Sequence, residues 1–231
     1  MFKSMLAFSG ASGGVKQRIR NSDFFDRVIS PDFGDSAPFQ RIPAPGKAVE
    51  HTLFSSTAAL WEETEKRGLN QRQDISGWVF SPEPPPDGQP ATTVRIPYND
   101  VSLESVRTVT EYRYDPERGV YLRFVSDQPH TDEITGQQLT ASNVVVLWVN
   151  HVETDILEDT YGGGHWSIEI QIWGEGGARL FRDGRAYDAK WVRPKRHELL
   201  RITDLEGNPL PFKPGNTWFQ VVPLGFQIET E

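Results

Sequence analysis

The residues best suited to chemistry begin near the front of the chain. Gly10-Ala11-Ser12-Gly13-Gly14 has the form G-x-S-x-G, with strand-like MLAF before it and helix-like VKQRIR after it, the local setting of a nucleophile elbow. Such an elbow follows several strands of a parallel sheet, and only nine residues precede Gly10. The plainer alternative is a glycine-permitted turn into a helix, whose N–H groups around Ser12, Gly13 and Gly14 would hold a small anion. No Lys-Ser/Thr pair follows, so the loop is not a P-loop. His51, in RIPAPGKAVEHTLF, lies just ahead of a helical segment, where an imidazole serves as base, donor or packing group. His130-Thr131-Asp132 offers a carboxylate-oriented imidazole, two metal ligands, or a polar turn. His151, His165 and His197 are scattered singly, without the spacings of a zinc site, so neither metal nor cofactor is expected. Asp155, Glu158 and Asp159 cluster before TYGGGHW; carboxylate pairs at a suitable separation hydrolyse glycosides, while a charged, solvated loop is the ordinary explanation. No catalytic set is assigned. The candidate binding residues are Ser12, Gly13, Gly14, Arg41, His51, His130 and Asp132.

The chain that must position these groups has 231 residues, room for one large domain or two small ones. Lys plus Arg number 24 against 32 Asp plus Glu, a net charge of −8, the wrong sign for a nucleic-acid binder. Absence of cysteine rules out disulfides, thiolate metal sites and cysteine nucleophiles. The longest aliphatic run, Val144 to Val149, has six residues, far below the ~18 of a membrane span. The opening MFKSMLAF has four consecutive apolar residues, where a secretory signal needs ~7 to 15, and no cysteine is present to carry a lipid. Read literally, this start implies a cytoplasmic chain or a fragment.

Residues 1–75 mix short segments with one clear helix: Ser56 caps TAALWEETEKR, Glu62/Lys66 and Glu63/Arg67 sit one turn apart, and Gly68 ends it. Its apolar face is expected at Ala59, Leu60 and Trp61. Five prolines between Phe80 and Pro90 remove backbone donors and mark a domain boundary or long loop. Beyond it the period becomes two. TTVRIPY alternates Val94, Ile96 and Tyr98, and SVRTVTEYRY alternates Val106, Thr108, Thr110, Tyr112 and Tyr114. Asp115-Pro-Glu-Arg-Gly119 joins the second of these to VYLRFVSD as a hairpin. NVVVLWVN is apolar on both faces and should be covered on both sides. WSIEIQIW alternates Ile168, Ile170 and Ile172, Asp183-Gly184 reads as a type I′ turn, Leu205 to Asn208 as another turn, and TWFQVVP as the last strand. Of the seven tryptophans, most are expected as core side chains, with Trp166 and Trp173 as candidates for stacking on sugar or peptide. The expected fold class is α+β: a mainly antiparallel β domain over 76–231, with a smaller, incomplete α/β part over 1–75 packed on it.

The order FSGASGG, VEHTLFSSTAALWEE, YDPERGVYLRF, PHTDEITGQQLTASNVVVLWV, ARLFRDGRAYDAKWVRP and PGNTWFQVVP resembles the YerB-like lipoprotein family, domain of unknown function 3048, over nearly the whole chain. The resemblance implies an α/β first domain, a β-rich second domain, a place in the bacterial cell envelope, and no settled activity or catalytic residues. It also implies that the signal, the lipid-bearing cysteine and an upstream part of the first domain are lacking here. The leading expectation is a non-enzymatic binding or scaffolding module with an unknown envelope ligand or protein partner. The alternatives are an envelope hydrolase or transferase using His51 with Ser12, Arg41 or His130/Asp132, and a gene fragment without a function of its own.

Overall fold

A computed structural model of the chain describes residues 4–74, 76–99 and 107–231. In chain order its strands begin with β1 (Leu6–Ala7), β2 (Val28–Ile29), β3 (Phe39–Arg41), β4 (Leu53–Ser55), β5 (Gln89–Pro90) and β6 (Thr93–Asn99). Then come β7 (Arg107–Asp115), β8 (Val120–Val125), β9 (Gln128–Pro129), β10 (Thr140–Ala141), β11 (Asn143–Val149) and β12 (His151–Asp159). The last are β13 (His165–Ile170), β14 (Gly174–Arg182), β15 (Arg185–Arg193), β16 (Arg201–Thr203), β17 (Thr217–Pro223) and β18 (Glu229–Thr230). Two α-helices occur among the described residues, α1 (Gly13–Arg20) and α2 (Thr57–Lys66). The protein is therefore β-dominated, and the α+β expectation reduces to that coarser statement. Two compact units divide the chain: 1–74 with 152–169, and 75–151 with 170–231. Residues 152–169, expected within the β-rich part, thus cluster with the first unit.

In the first unit, β1 and β2 pair in parallel across α1, since a parallel connection needs a crossover and the helix supplies it. β3 and β4 form an antiparallel pair, and β12 and β13 a two-stranded ribbon. Helix α2 starts where expected, the Ser56 hydroxyl accepting from Ala59 N at 3.1 Å. Both anticipated ion pairs form, Lys66 with Glu62 and Arg67 with Glu63. Its inward face includes the expected Ala59 and Leu60, both partly buried, but not Trp61. Thr64 is buried while Trp61 is 66% exposed, because Arg67, on the Thr64 side, reaches the carbonyls of Asp26 and Val28 and the Asp35 carboxylate and so holds that side inward.

The second unit stacks two sheets, β10-β8-β7-β6-β18 and β16-β15-β14-β11-β17. Strand β11 explains its own composition. Val144 and Val146 enter the core between the sheets with Val94, Ile96, Tyr112 and Phe181, whereas Val145, Leu147 and Val149 enter a second core with Leu180, Trp191 and Phe212. A strand wet on one face alternates; one walled on both sides need not. TWFQVVP is a strand as read, but not the last, since β18 follows and pairs with β6, and β17 runs parallel to β11. The hairpin at Asp115 to Gly119 closes with Asp115 opposite Val120, and Asp183 (φ 53°) and Gly184 (φ 68°) make the type I′ turn. Val106, expected on the inner face of β7, lies outside the described residues. The proline segment is not a free linker. Buried Arg182 donates to the carbonyls of Ser81 and Pro82, Arg185 to Gly88, and the Tyr187 hydroxyl to Pro85.

Candidate functional site

The Gly-Ser loop turns between β1 and α1. The Ser12 hydroxyl accepts from Val15 N at 3.4 Å and so caps the helix. The anion expected at this helix start is the protein's own: the Asp32 carboxylate accepts from Ala11 N at 3.2 Å and pairs with Lys16 at 3.3 Å. Gly13 opens the helix with open space where a Cβ would stand, while at Gly14 a Cβ would lie 2.4 Å from the Ile156 side chain of β12. Glycine is required there for packing.

Arg41 and His51 belong to the β3–β4 arm. The Arg41 guanidinium donates to the Val49 carbonyl at 2.5 Å and to the Thr52 hydroxyl at 3.4 Å, pinning the turn that carries exposed His51. Ser12, Gly13, Gly14, Arg41 and His51 thus share the first unit, and His130 and Asp132 belong to the second.

Asp132 is committed to its own turn. Its Oδ1 accepts from Ile134 N (3.1 Å), Thr135 N (2.7 Å) and the Thr135 hydroxyl (2.9 Å). These donors, Thr135 first, hold its carboxyl below the usual carboxylate range. His130 meets Arg123 through Nδ1. Arg123 is half-buried, stacks 4.5 Å over the Trp218 ring, and pairs with no carboxylate among the described residues. Behind it a polar chain crosses the end of the inter-sheet core: the Tyr98 hydroxyl donates to Gln220 Oε1, and Gln220 Nε2 donates to the Tyr112 hydroxyl, each at 2.6 Å. Burial pushes the Tyr98 phenol up to about 12 and raises that of Tyr112 as well.

Beside this cluster lies a depression of about 300 Å³ whose walls include Asp132, Gln137, Gln138, Thr140, Asn216 and Trp218. Amides and hydroxyls around an indole ring hydrogen-bond and stack; no lysine or arginine lines it. Of the residues singled out in the sequence, Asp132 lines this depression and His130 contacts Arg123 beside it, whereas Arg123, Trp218 and Gln220 were not singled out. A glutamine within the apolar strand TWFQVVP was the signal available, because a buried amide demands partners. The acidic group on β12 does not form a paired acid and base: Asp159 accepts from His165 at 2.8 Å and from Tyr161 N, and both bonds lower its pKa.

A sandwich whose loops and turns are tied by buried polar side chains, with this shallow polar depression, defines the class: the chain belongs to the family described as protein of unknown function (DUF3048), whose C-terminal domain matches residues 99–219. The chain is 26% identical over 222 residues to the putative lipoprotein YerB of Bacillus subtilis (strain 168), covering 96% of this chain and 62% of that protein. It therefore spans less than two thirds of that relative's length. The crystal structure of YerB protein from Bacillus subtilis superposes with a TM-score of 0.75 at 22% identity, covering 99% of this chain and 71% of that one.

Proposed function

We propose that this chain is a binding or scaffolding module of the bacterial cell envelope that works without catalysis, its ligand held in the depression beside Trp218. One observation carries the reading. The polar side chains that looked chemical in sequence are occupied in holding backbone: Ser12 caps a helix, Arg41 pins a turn, and Asp132 gathers three donors. The depression retains amide and hydroxyl groups around an aromatic ring, the equipment for binding an uncharged polar surface such as a glycan. The envelope assignment rests on kinship with a protein named as a putative lipoprotein.

Co-sedimentation with purified peptidoglycan tests both parts. The chain should pellet with the polymer, release no soluble fragments, and lose most of its binding in Trp218→Ala. Release of soluble fragments that disappears in His51→Ala would replace this reading with a hydrolase.

A further inference from the structure

The two units are very unequally furnished. Among the described residues the first unit buries two large apolar side chains fully, Val28 and Ile29; the rest of the buried apolar set belongs to the second unit. Yet the first unit exposes Leu6, Phe54, Trp61, Leu157, Trp166 and Ile168. A compact unit with so little core does not offset the conformational entropy of its own ordering.

The β12–β13 ribbon concentrates the imbalance. One face meets α1: Ile156 lies against Gly14, and Glu169 pairs with Arg18. Strand alternation sends Leu157, Trp166 and Ile168 to the other face, where they are 43%, 41% and 51% exposed. Glu153 and Asp155 point the same way along β12, and neither they nor Glu158 have a cationic partner within ion-pair distance among the described residues. Apolar residues beside unneutralised carboxylates describe half of an interface. The parallel pair β1–β2, with two residues in each strand, is likewise far short of the covered sheets in which parallel strands are found.

We infer that the outer face of this ribbon docks a further polypeptide segment which completes the first unit: strand-forming, apolar on the side it presents to Trp166 and Ile168, and flanked by lysine or arginine facing Glu153 and Asp155. More than a third of the putative lipoprotein YerB lies outside its match to this chain, and polypeptide corresponding to that part is the occupant. This inference is independent of the depression beside Trp218.

The test compares the full chain alone with the same chain joined, through a flexible Gly/Ser linker, to the part of Bacillus subtilis YerB outside the match. The linker raises the effective concentration to about the millimolar range. Hydrogen exchange is followed by mass spectrometry and oligomeric state by sedimentation. The chain alone should be monomeric, with amides of the ribbon exchanging at least about 100-fold faster than those of β11 and β14. In the joined form the ribbon should gain at least about tenfold in protection. Trp166→Asp, or Glu153→Lys with Asp155→Lys, should abolish the gain while leaving the unfolding midpoint of the second unit unchanged. Three results would each overturn the inference: a monomeric chain whose ribbon is already as protected as β11, a dimer whose ribbon loses protection on dilution, or a joined form showing no gain.

Discussion

Arg182 is fully buried, and its guanidinium holds together parts of the second unit that are distant in sequence. It donates to the carbonyls of Ser81 (3.0 Å), Pro82 (3.0 Å) and Pro211 (3.1 Å), and pairs with Asp183 at 2.8 Å. Arg182→Met keeps much of the volume but removes every donor. Each buried acceptor left without a partner costs about 1–3 kcal/mol, and breaking a buried pair costs about 3–5 kcal/mol. Asp183 keeps Lys213 at 2.6 Å, so its charge is not stranded, and some orphaned carbonyls can relax toward water. The expected loss is about 3 kcal/mol. With a urea dependence of about 2 kcal/mol per molar, the unfolding midpoint of the second unit should fall by about 1.5 M, and the proline segment 81–90 should become cleavable by protease under native conditions. Arg182→Lys should recover little of the loss, because an ammonium cannot span the same acceptors. A midpoint shift below about 0.5 M, or a proline segment that stays resistant, would refute the view that this arginine staples the loop.

Gly184→Ala should cost about 1–3 kcal/mol in urea unfolding, since the residue sits at φ 68° and a Cβ would lie 2.8 Å from the Tyr114 ring; Gly177→Ala, with open space around it and no positive φ, is the control that should cost much less. Ser56→Ala should cost about 1 kcal/mol of helix stability, read as faster hydrogen exchange confined to the first turn of α2. Asp132 should titrate below the ordinary carboxylate value of about 3.9. Because its folded pKa is depressed, its support of the 131–138 turn is complete above that ordinary value and is lost as pH falls through the lowered one. The amide resonances of Ile134 and Thr135 should report that transition, and a normal Asp132 pKa would contradict the three-donor turn.

Much of the second unit was legible because its strands obey period two and its turns use residues with a mechanism. Asp183-Gly184 supplies two positive φ angles, and Asp115 accepts from Glu117 N and Arg118 N before Gly119 turns left-handed. The parallel pairing of β17 with β11 was not legible, since side-chain alternation is the same in either direction and only long-range register fixes the choice. The membership of 152–169 was hidden for a similar reason. WSIEIQIW alternates like a half-buried strand, but its isoleucines do not share a fate: Ile172 reaches the core of the second unit, whereas Ile168 and Ile170 are about half exposed.

The same contrast separates motif from mechanism in the candidate site. TASNVVVL, FRDG and PGNTWFQVVP, which carry the family resemblance, are tied together through Lys213, the residue just before the last of them. Asn143, fully buried, accepts from Lys213 N at 2.7 Å and donates to the Lys213 carbonyl at 2.8 Å, and the Lys213 ammonium joins Gly119 O to Asp183. Buried amides and charges are tolerated only when their partners are present, so Asn143, Lys213 and Asp183 have an architectural role. A binding surface needs no such closure. Thr140 and Trp218 belong to those same stretches, yet with Gln137 they line an open depression, a grouping that only the fold reveals. The recognisable stretches of this chain therefore do two things at once: buried Asn143 ties the scaffold together, while Thr140 and Trp218, from the same stretches, wall the depression.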